Sequence, residues 1–236
     1  MRNCIITGAS SGIGRATALK LAENKYFKNI ILLGRSLNEL ENVKREIEKC
    51  GNINADVYKI DFSKPETISK IIEGIYKKYQ SIDCLMNIAG YTDPQPLFTT
   101  TLESMELTYK INVFSPFVLT RECAKFMKKR GGKILNVAST AGMTPRPGWL
   151  SYSSSKAAVI SMSETLSAEL AEYGVLVYCV SPGRCATKLR KRLAPNEDPS
   201  SIMQPEEVAD VLCNLVSSNE RCLDGQNIVI RKQIKK

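Results

Sequence analysis

Short apolar runs alternate with amphipathic stretches along almost the whole chain of 236 residues. The apolar runs are continuous rather than alternating in polarity, which indicates strands covered on both faces, as in a parallel sheet flanked by helices. This regular alternation predicts a doubly wound α/β fold. The runs that predict strands are Asn3 to Thr7, Asn29 to Leu33, Ala55 to Ile60, Cys84 to Met86, Lys133 to Ala138, Leu176 to Ser181 and Asn227 to Ile230.

The amphipathic stretches predict the helices between these strands. They run over Arg15 to Asn24, Leu37 to Cys50, Pro65 to Tyr79, Leu102 to Lys129, Tyr152 to Tyr173 and Pro205 to Val216. The sequence contains no internal repeat, low-complexity tract or linker, so we expect a single domain over residues 1–236. The least patterned segment, Arg184 to Gln204, predicts a flexible loop that covers the substrate.

Composition indicates where the protein acts and which kinds of catalytic site it can contain. No apolar run approaches the roughly 18 residues of a membrane span, and the N-terminus predicts a strand rather than a signal peptide. We therefore expect a cytoplasmic protein without a membrane partner. The sequence contains no histidine, which excludes a histidine-bearing metal site and a Ser-His-Asp triad. Its eight cysteines form no C-x-x-C pair, so we expect reduced, structural thiols and no metal site.

The formal net charge of +9 favours an acidic partner. Nucleic acid, an anionic membrane surface and an acidic substrate or carrier are the candidates, and a basic, well-solvated surface is the alternative. The sequence shows no helix-turn-helix, zinc-finger or RNP-like pattern, so nucleic-acid binding is the weakest of these function classes.

A glycine-rich turn joins the first strand to the first helix, with the sequence Thr7-Gly8-Ala9-Ser10-Ser11-Gly12-Ile13-Gly14. Glycines here allow a tight turn, a close approach of the backbone to a pyrophosphate and close packing of helix on strand. The amides at the helix N-terminus would then face the anion. Glycines also end strands for purely structural reasons, but the strand–turn–helix context favours dinucleotide binding.

The end of the second strand indicates which dinucleotide is used. An NAD enzyme needs a carboxylate near this point to accept hydrogen bonds from the ribose hydroxyls, whereas this chain has Gly34 followed by Arg35. A guanidinium can bind a 2′-phosphate bidentately. We therefore expect NADP(H) rather than NAD(H), with a solvated surface arginine as the alternative reading of Arg35.

Tyr152 and Lys156 are the candidate catalytic pair. They lie four residues apart at the start of a predicted helix and so share one face. A free tyrosine has a pKa near 10, and a neighbouring cation lowers that pKa toward the range useful for proton transfer. Such pairs are often only solvated neighbours, but Ser139 ends the preceding strand at the sheet edge where α/β folds bind ligands.

Together these motifs resemble the single-domain branch of the short-chain dehydrogenase/reductase family, whose turn has the spacing T-G-x-x-x-G-x-G. The resemblance implies a Rossmann fold with a seven-stranded parallel sheet in the order 3-2-1-4-5-6-7. It implies hydride transfer between NADP(H) and a carbonyl or alcohol, with Tyr152 as acid/base and Ser139 bonded to the substrate oxygen. It also implies that Asn112 holds a water that connects Lys156 to solvent.

The same resemblance implies the cofactor contacts, in which Asp61 meets the adenine amino group and Thr187 meets the carboxamide or pyrophosphate. The full set comprises Gly8, Ser10, Ser11, Gly12, Ile13, Gly14, Arg35, Asp61, Phe62, Asn87, Ala89, Gly90, Tyr152, Lys156, Pro182, Gly183 and Thr187. Two departures stand out. Ile88 replaces the second Asn of the family's N-N-A-G stretch, and residues 231–236 replace its usual tail. We expect a homodimer or homotetramer. Because the family's tail often supports subunit contacts, the different tail of this chain leaves the choice between the two undecided.

Basic residues crowd the predicted loop, namely Arg184, Lys188, Arg190, Lys191 and Arg192, and a second group ends the long helix at Lys128, Lys129 and Arg130. A basic loop could attract a phosphorylated substrate, coenzyme A or an acidic acyl carrier protein, and a 3-oxoacyl thioester is our leading substrate. A hydrated, mobile loop is the alternative. The competing function is a catalytically silent NADP(H) sensor or scaffold, against which the intact Ser139, Tyr152 and Lys156 argue.

Overall fold

The computed structural model describes residues 2–232, and in these residues seven parallel strands form one sheet in the order β3-β2-β1-β4-β5-β6-β7. The predicted doubly wound Rossmann fold and its strand order are therefore confirmed. The last part of the C-terminal tail noted above, residues 233–236, lies outside the described residues. The strands are β1 Asn3–Thr7, β2 Asn29–Gly34, β3 Asn54–Lys59, β4 Cys84–Asn87, β5 Gly132–Val137, β6 Val175–Pro182 and β7 Asn227–Ile230.

The helices follow the predicted pattern with two differences. They are α1 Gly12–Asn24, α2 Leu37–Glu48, α3 Ile68–Tyr79, α4 Leu102–Tyr109, α5 Ser115–Met127, α6 Leu150–Leu170, α7 Lys188–Leu193 and α8 Pro205–Val216. The predicted helix from Leu102 to Lys129 is present, but a π-helical turn at Lys110–Phe114 lies within it and divides it into α4 and α5. The segment Arg184 to Gln204 is also not structureless, because it contains α7.

The sheet is covered on both faces by apolar layers, and alternate strand residues face opposite layers. In β1, Cys4 and Ile6 pack into the layer that α1, α2 and α8 complete. Ile5 packs into the opposite layer with α3 and α5. The residues of α3 that enter this layer, Ile68, Ile72 and Ile75, follow a helical spacing and are fully buried.

Because the strands are parallel, their carboxyl ends meet at one edge, which is where doubly wound folds bind ligands. The glycine-rich turn, the loops after β2, β4 and β5, and the segment after β6 all begin there. Residues 184–204, which we call the lid, also start at this edge. The two ends of the lid are tied by backbone hydrogen bonds, from Ala186 N to Met203 O at 2.8 Å and from Met203 N to Arg184 O at 3.2 Å.

Within the described part of the chain, no helix combines the length and apolar character that crossing a bilayer requires.

Candidate active site

The glycine-rich turn is built so that its backbone approaches neighbouring backbone closely. Gly8 and Gly12 have φ values of +68° and +53°, a region that side chains other than glycine rarely adopt. A Cβ on Gly8 would lie 2.9 Å from Ala89 Cα, and one on Gly14 would overlap the carbonyl of Gly8. Gly12, Ile13 and Gly14 line a cavity at the start of α1. The turn is therefore shaped to bring backbone amides to an anionic ligand.

Thr7 fastens this turn to the next loop along the sheet edge. Its buried hydroxyl accepts hydrogen bonds from Ile88 N at 2.9 Å and Ala89 N at 3.0 Å. Sequence reasoning placed Thr7 at the end of a strand and the start of the turn motif but gave its hydroxyl no role. The signal that could have identified it is a hydroxyl placed directly before Gly8, at a point where the neighbouring loop leaves β4.

One cavity of about 780 Å³ runs along the sheet edge, within the size range of small-molecule and cofactor sites. It is lined by every residue predicted for the cofactor or for catalysis except Asn87 and Asn112. The predicted residues in its lining are Gly8, Ser10, Ser11, Gly12, Ile13, Gly14, Arg35, Asp61, Phe62, Ala89, Gly90, Ser139, Tyr152, Lys156, Pro182, Gly183 and Thr187.

Charged groups lie at the end of the cavity formed by β2 and β3. Arg35 is exposed there, and Gly34 packs against Leu40. Hydrogen bonds from the Ser63 hydroxyl and amide, at 2.8 and 3.0 Å, lower the pKa of Asp61. Glu39 also lines this end, a residue that sequence reasoning missed, and its carboxylate pairs with Lys188 of the lid at 3.3 Å. This end thus offers an exposed guanidinium and an ionised carboxylate.

The Asn87 side chain faces the interior and does not line the cavity, and the predicted cofactor contact of this stretch stays a prediction. Its side-chain amide donates to Asn136 Oδ1 at 2.8 Å and to Thr120 Oγ1 at 3.3 Å. Asn136 in turn donates to Ser163 Oγ at 3.0 Å. The side chain therefore belongs to a buried polar chain that crosses from β4 through β5 to α6. The motif gave no indication of the direction of the Asn87 side chain.

Asn112 lies in the π-helical turn, fully buried. Its side-chain amide donates to Tyr91 O and to Ser155 Oγ, both at 2.9 Å, and its Oδ1 accepts from Tyr91 N at 2.8 Å. A Cβ on Gly90 would lie 3.8 Å from Asn112 Oδ1 and 3.7 Å from Lys156 Nζ, so both groups adjoin the same backbone. Asn112 thus fixes the loop after β4 beside Lys156. The water relay implied by the resemblance stays a prediction.

Ser139, Tyr152 and Lys156 line the cavity together. Ser139 precedes a short 3-10 turn, and its Oγ accepts a hydrogen bond from Ala141 N at 3.1 Å, so its hydroxyl proton is available to a ligand. Tyr152 and Lys156 are one turn apart on α6, with 6% and 3% exposure. The Lys156 ammonium donates to Val137 O at 2.8 Å and lies 5.9 Å from the centre of the Tyr152 ring.

Burial dominates the protonation of this pair. It raises the pKa of the Tyr152 phenol, while the Ser139 hydroxyl and then the Arg190 guanidinium lower it. It lowers the pKa of Lys156 from 10.5 to about 8. Sequence reasoning considered the charge of Lys156 but not the desolvation of both groups, and desolvation has the larger effect here.

The substrate end of the cavity contains residues that sequence reasoning missed. The Trp149 ring meets the Tyr152 ring edge-on, with centroids 6.3 Å apart. The guanidinium of Arg190 lies 5.7 Å from the Trp149 ring centroid on the lid side. Tyr91, Thr92, Arg146, Leu189 and Leu193 complete this end. The single tryptophan of the chain, three residues before Tyr152, was the available signal.

A doubly wound parallel sheet with this turn, and with a buried Tyr–Lys pair in the same cleft, defines a Rossmann-fold oxidoreductase. Residues 2–198 match the short chain dehydrogenase family. The chain belongs to that family, as the sequence motifs indicated.

Individual relatives extend over almost the whole chain. It is similar to the 3-oxoacyl-(acyl-carrier-protein) reductase FabG of Thermotoga maritima, with 32% identity over 236 residues that cover 96% of this chain and 95% of the relative. Its fold is similar to a short-chain type dehydrogenase/reductase from Mycobacterium marinum, with a TM-score of 0.90, 28% identity and coverage of 98% and 94% of the two chains. A short-chain dehydrogenase from Shigella flexneri, solved in complex with NADP, also gives a TM-score of 0.90, with 26% identity and coverage of 97% and 96%.

Proposed function

We propose that this chain, acting as a single domain over residues 1–236, is an NADP(H)-dependent reductase of a carbonyl substrate, with Tyr152 as its acid/base. One observation carries the proposal: Ser139, Tyr152 and Lys156 line the same cavity as the glycine-rich turn. Chance would rarely bring a phenol, an ammonium and a serine hydroxyl into one cleft beside an anion-binding turn.

Each residue has a role that follows from its surroundings. The Ser139 hydroxyl proton bonds to the substrate oxygen and stabilises the charge that develops there. The Tyr152 phenol gives that oxygen its proton in reduction and removes a proton from the alcohol in the reverse reaction. The Lys156 ammonium favours the phenolate electrostatically. When bound, the nicotinamide supplies or accepts the hydride.

The residues at the other end of the cavity fit a phosphorylated dinucleotide. Backbone amides of the turn face the cavity, and Arg35 stands exposed where a 2′-phosphate needs a cation. The NADP complex of the Shigella flexneri relative supports the same choice. Replacing Arg35 with alanine should lower kcat/KM for NADPH about 10- to 100-fold, the equivalent of one charge-assisted contact, and leave that for NADH nearly unchanged. Equal losses for both cofactors would contradict the preference.

For the substrate we propose a 3-oxoacyl thioester, on a carrier protein or on coenzyme A. The similarity to the Thermotoga maritima reductase supports this choice. The lid supports it less strongly than its composition suggests, because Lys188 pairs with Glu39 while Arg184 and Arg190 pair with Glu197. Arg146 and Arg192 also line the cavity and are exposed. They are the better candidates for contact with an anionic group of the substrate.

We also propose that the chain acts in the cytoplasm as a homodimer or homotetramer. Exposed aromatic side chains on and beside α4 and α5 support self-association, with Phe98 99% exposed and Phe114 and Phe117 each nearly half exposed. Light scattering after size-exclusion chromatography measures the mass directly. A monomer at micromolar concentration would contradict the oligomer.

The test of the function is NADPH oxidation across a carbonyl panel that includes a 3-oxoacyl thioester. Tyr152→Phe should reduce turnover at least 100-fold while NADPH binding, measured by fluorescence titration, stays the same. The matched control is Tyr76→Phe, which preserves the stacked contact of that ring with Phe126, with centroids 3.8 Å apart. Tight NADPH binding without turnover on any carbonyl would instead identify a sensor or scaffold.

A further inference from the structure

One carboxylate of the lid, that of Glu197, pairs with two of its arginines. Glu197, with its side chain 15% exposed, accepts two hydrogen bonds from Arg190, from Nε at 2.6 Å and from Nη2 at 2.7 Å. Arg184 adds a third contact to the same carboxylate at 3.3 Å. A bidentate pair of this kind fixes the plane of the guanidinium. The position of Arg190 is therefore set by a residue seven positions further along the lid.

Arg190 is positioned beside the proposed acid/base. Its guanidinium lies 5.7 Å from the centre of the Trp149 ring, and the centres of the Trp149 and Tyr152 rings are 6.3 Å apart. Arg190 and Tyr152 line the same cavity. A cation held beside Trp149, whose ring contacts Tyr152, favours the ionised form of the phenol.

We propose that Arg190 is a positioning residue for the acid/base, and that the Glu197–Arg190 pair sets how readily the Tyr152 phenol ionises when the lid covers the site. This inference rests on the proposed role of Tyr152. The arginine contacts the Trp149 side chain and acts on the phenol through its electric field. Glu197 both holds the arginine and offsets part of its charge.

Other charged groups surround Tyr152 and remain constant in the test. They include Lys156 on α6, Arg146 in the loop before α6 and Arg192 on the lid. The loop after β4, which pairs with Trp149 through Gln95, carries Asp93. On α4 and the π-helical turn, which pack against α6, Glu106 and Lys110 pair with each other at 3.6 Å. Because these groups are unchanged in the variants, differences between variants report on Arg190 and Glu197.

The two partners of the pair have opposite electrostatic effects, and this provides the test. Removing Arg190 takes away a cation and leaves the Glu197 carboxylate less compensated, so the phenol ionises at higher pH. Removing Glu197 leaves Arg184 and Arg190 without their anion, so the phenol ionises at lower pH. A purely structural role predicts the same direction for both variants, because each variant breaks the same ion pair.

The experiment measures the pH profile of kcat for NADPH-dependent reduction of ethyl acetoacetate, an uncharged 3-oxo ester that the arginines cannot attract by charge. In this direction the protonated phenol is the active form, so kcat falls above its apparent pKa. Arg190→Gln should move this fall to higher pH and Glu197→Gln to lower pH, each by on the order of one pH unit. The double variant should return toward the wild-type midpoint. Asp198→Asn, one residue from Glu197 and hydrogen-bonded to Ser200, is the matched control and should leave the midpoint unchanged.

Thermal melting of each variant establishes that it is folded before its profile is compared. Opposite shifts with a restored midpoint in the double variant support the role of Arg190. Shifts in the same direction, or midpoints that all match the wild type, overturn that role and leave the assignment of Tyr152 intact. Retained turnover in Tyr152→Phe overturns both.

Discussion

Lys156→Met should make the folded protein more stable at neutral pH while abolishing its activity. The Lys156 side chain is 3% exposed and its ammonium has one hydrogen bond to protein, to Val137 O at 2.8 Å. Burial lowers its pKa from 10.5 to about 8. Because the folded-state pKa lies below the unfolded value, the unfolded state binds more protons between pH 8 and 10.5, and stability rises with pH through this window.

The pKa difference gives the magnitude. One pKa unit corresponds to about 1.36 kcal/mol, so holding the ammonium in the folded site costs about 3.4 kcal/mol below pH 7. At pH 9.5 the remaining cost is about 1.4 kcal/mol by the same relation. Methionine removes this cost, fills a similar volume and loses one hydrogen bond, worth about 1 kcal/mol. The expected net gain is about 2 kcal/mol at pH 7.

Urea denaturation at pH 7 and pH 9.5 checks this prediction, with wild type and variant compared at each pH. The stability difference between them should shrink by about 2 kcal/mol at the higher pH. The matched control is Lys70→Met, which makes the same substitution at an exposed lysine of α3 and does not alter a buried site. A variant less stable than wild type at pH 7, or a difference that is independent of pH, would refute the reasoning.

Two further predictions concern backbone approach and a buried cation. Gly14→Ala should abolish NADPH binding and lower Tm, because the new Cβ would overlap the Gly8 carbonyl. The control Gly74→Ala, with open space around it in α3, should stabilise the protein by about 0.5–1 kcal/mol. Calorimetry measures both variants, and NADPH binding by Gly14→Ala would contradict the close approach. Lys133→Met should lower stability by about 3 kcal/mol. The buried Lys133 ammonium donates to three carbonyls at and beyond the end of α8, those of Leu215, Ser217 and Glu220, at 2.6–3.0 Å. Thermal melting tests this, and an unchanged Tm would count against it.

The sheet was predictable because its signal is local. Each strand is a short apolar run between turn residues, and both apolar layers depend on nothing more than that pattern. The glycine-rich turn was predictable for a similar reason, since the conformations at Gly8 and Gly12 restrict the residue type directly. Most residues of the cavity lining then follow from their places at the ends of parallel strands.

Other features depend on contacts between distant residues. Lys188–Leu193 has four basic residues in six and only two apolar ones, Leu189 and Leu193, and its helix depends on a cap from Thr187 and on pairing with Glu197. Trp149 and Arg190 meet only in the folded chain. The direction of the Asn87 side chain and the desolvation of Lys156 are also properties of the surrounding structure, which a motif does not encode.

At the π-helical turn Lys110–Phe114, the number of residues matters as much as their identity. A π turn accommodates one residue more than the α-helix it interrupts, and one residue corresponds to about 100° of helix rotation. Deleting a single residue here would convert the π turn into ordinary α-helix, with the inward face of α5, which includes Leu119 and Cys123, still in register with the core. It would remove the bulge that places Asn112 against Tyr91. Natural length variation in relatives should therefore be found in the lid and be rare within this turn.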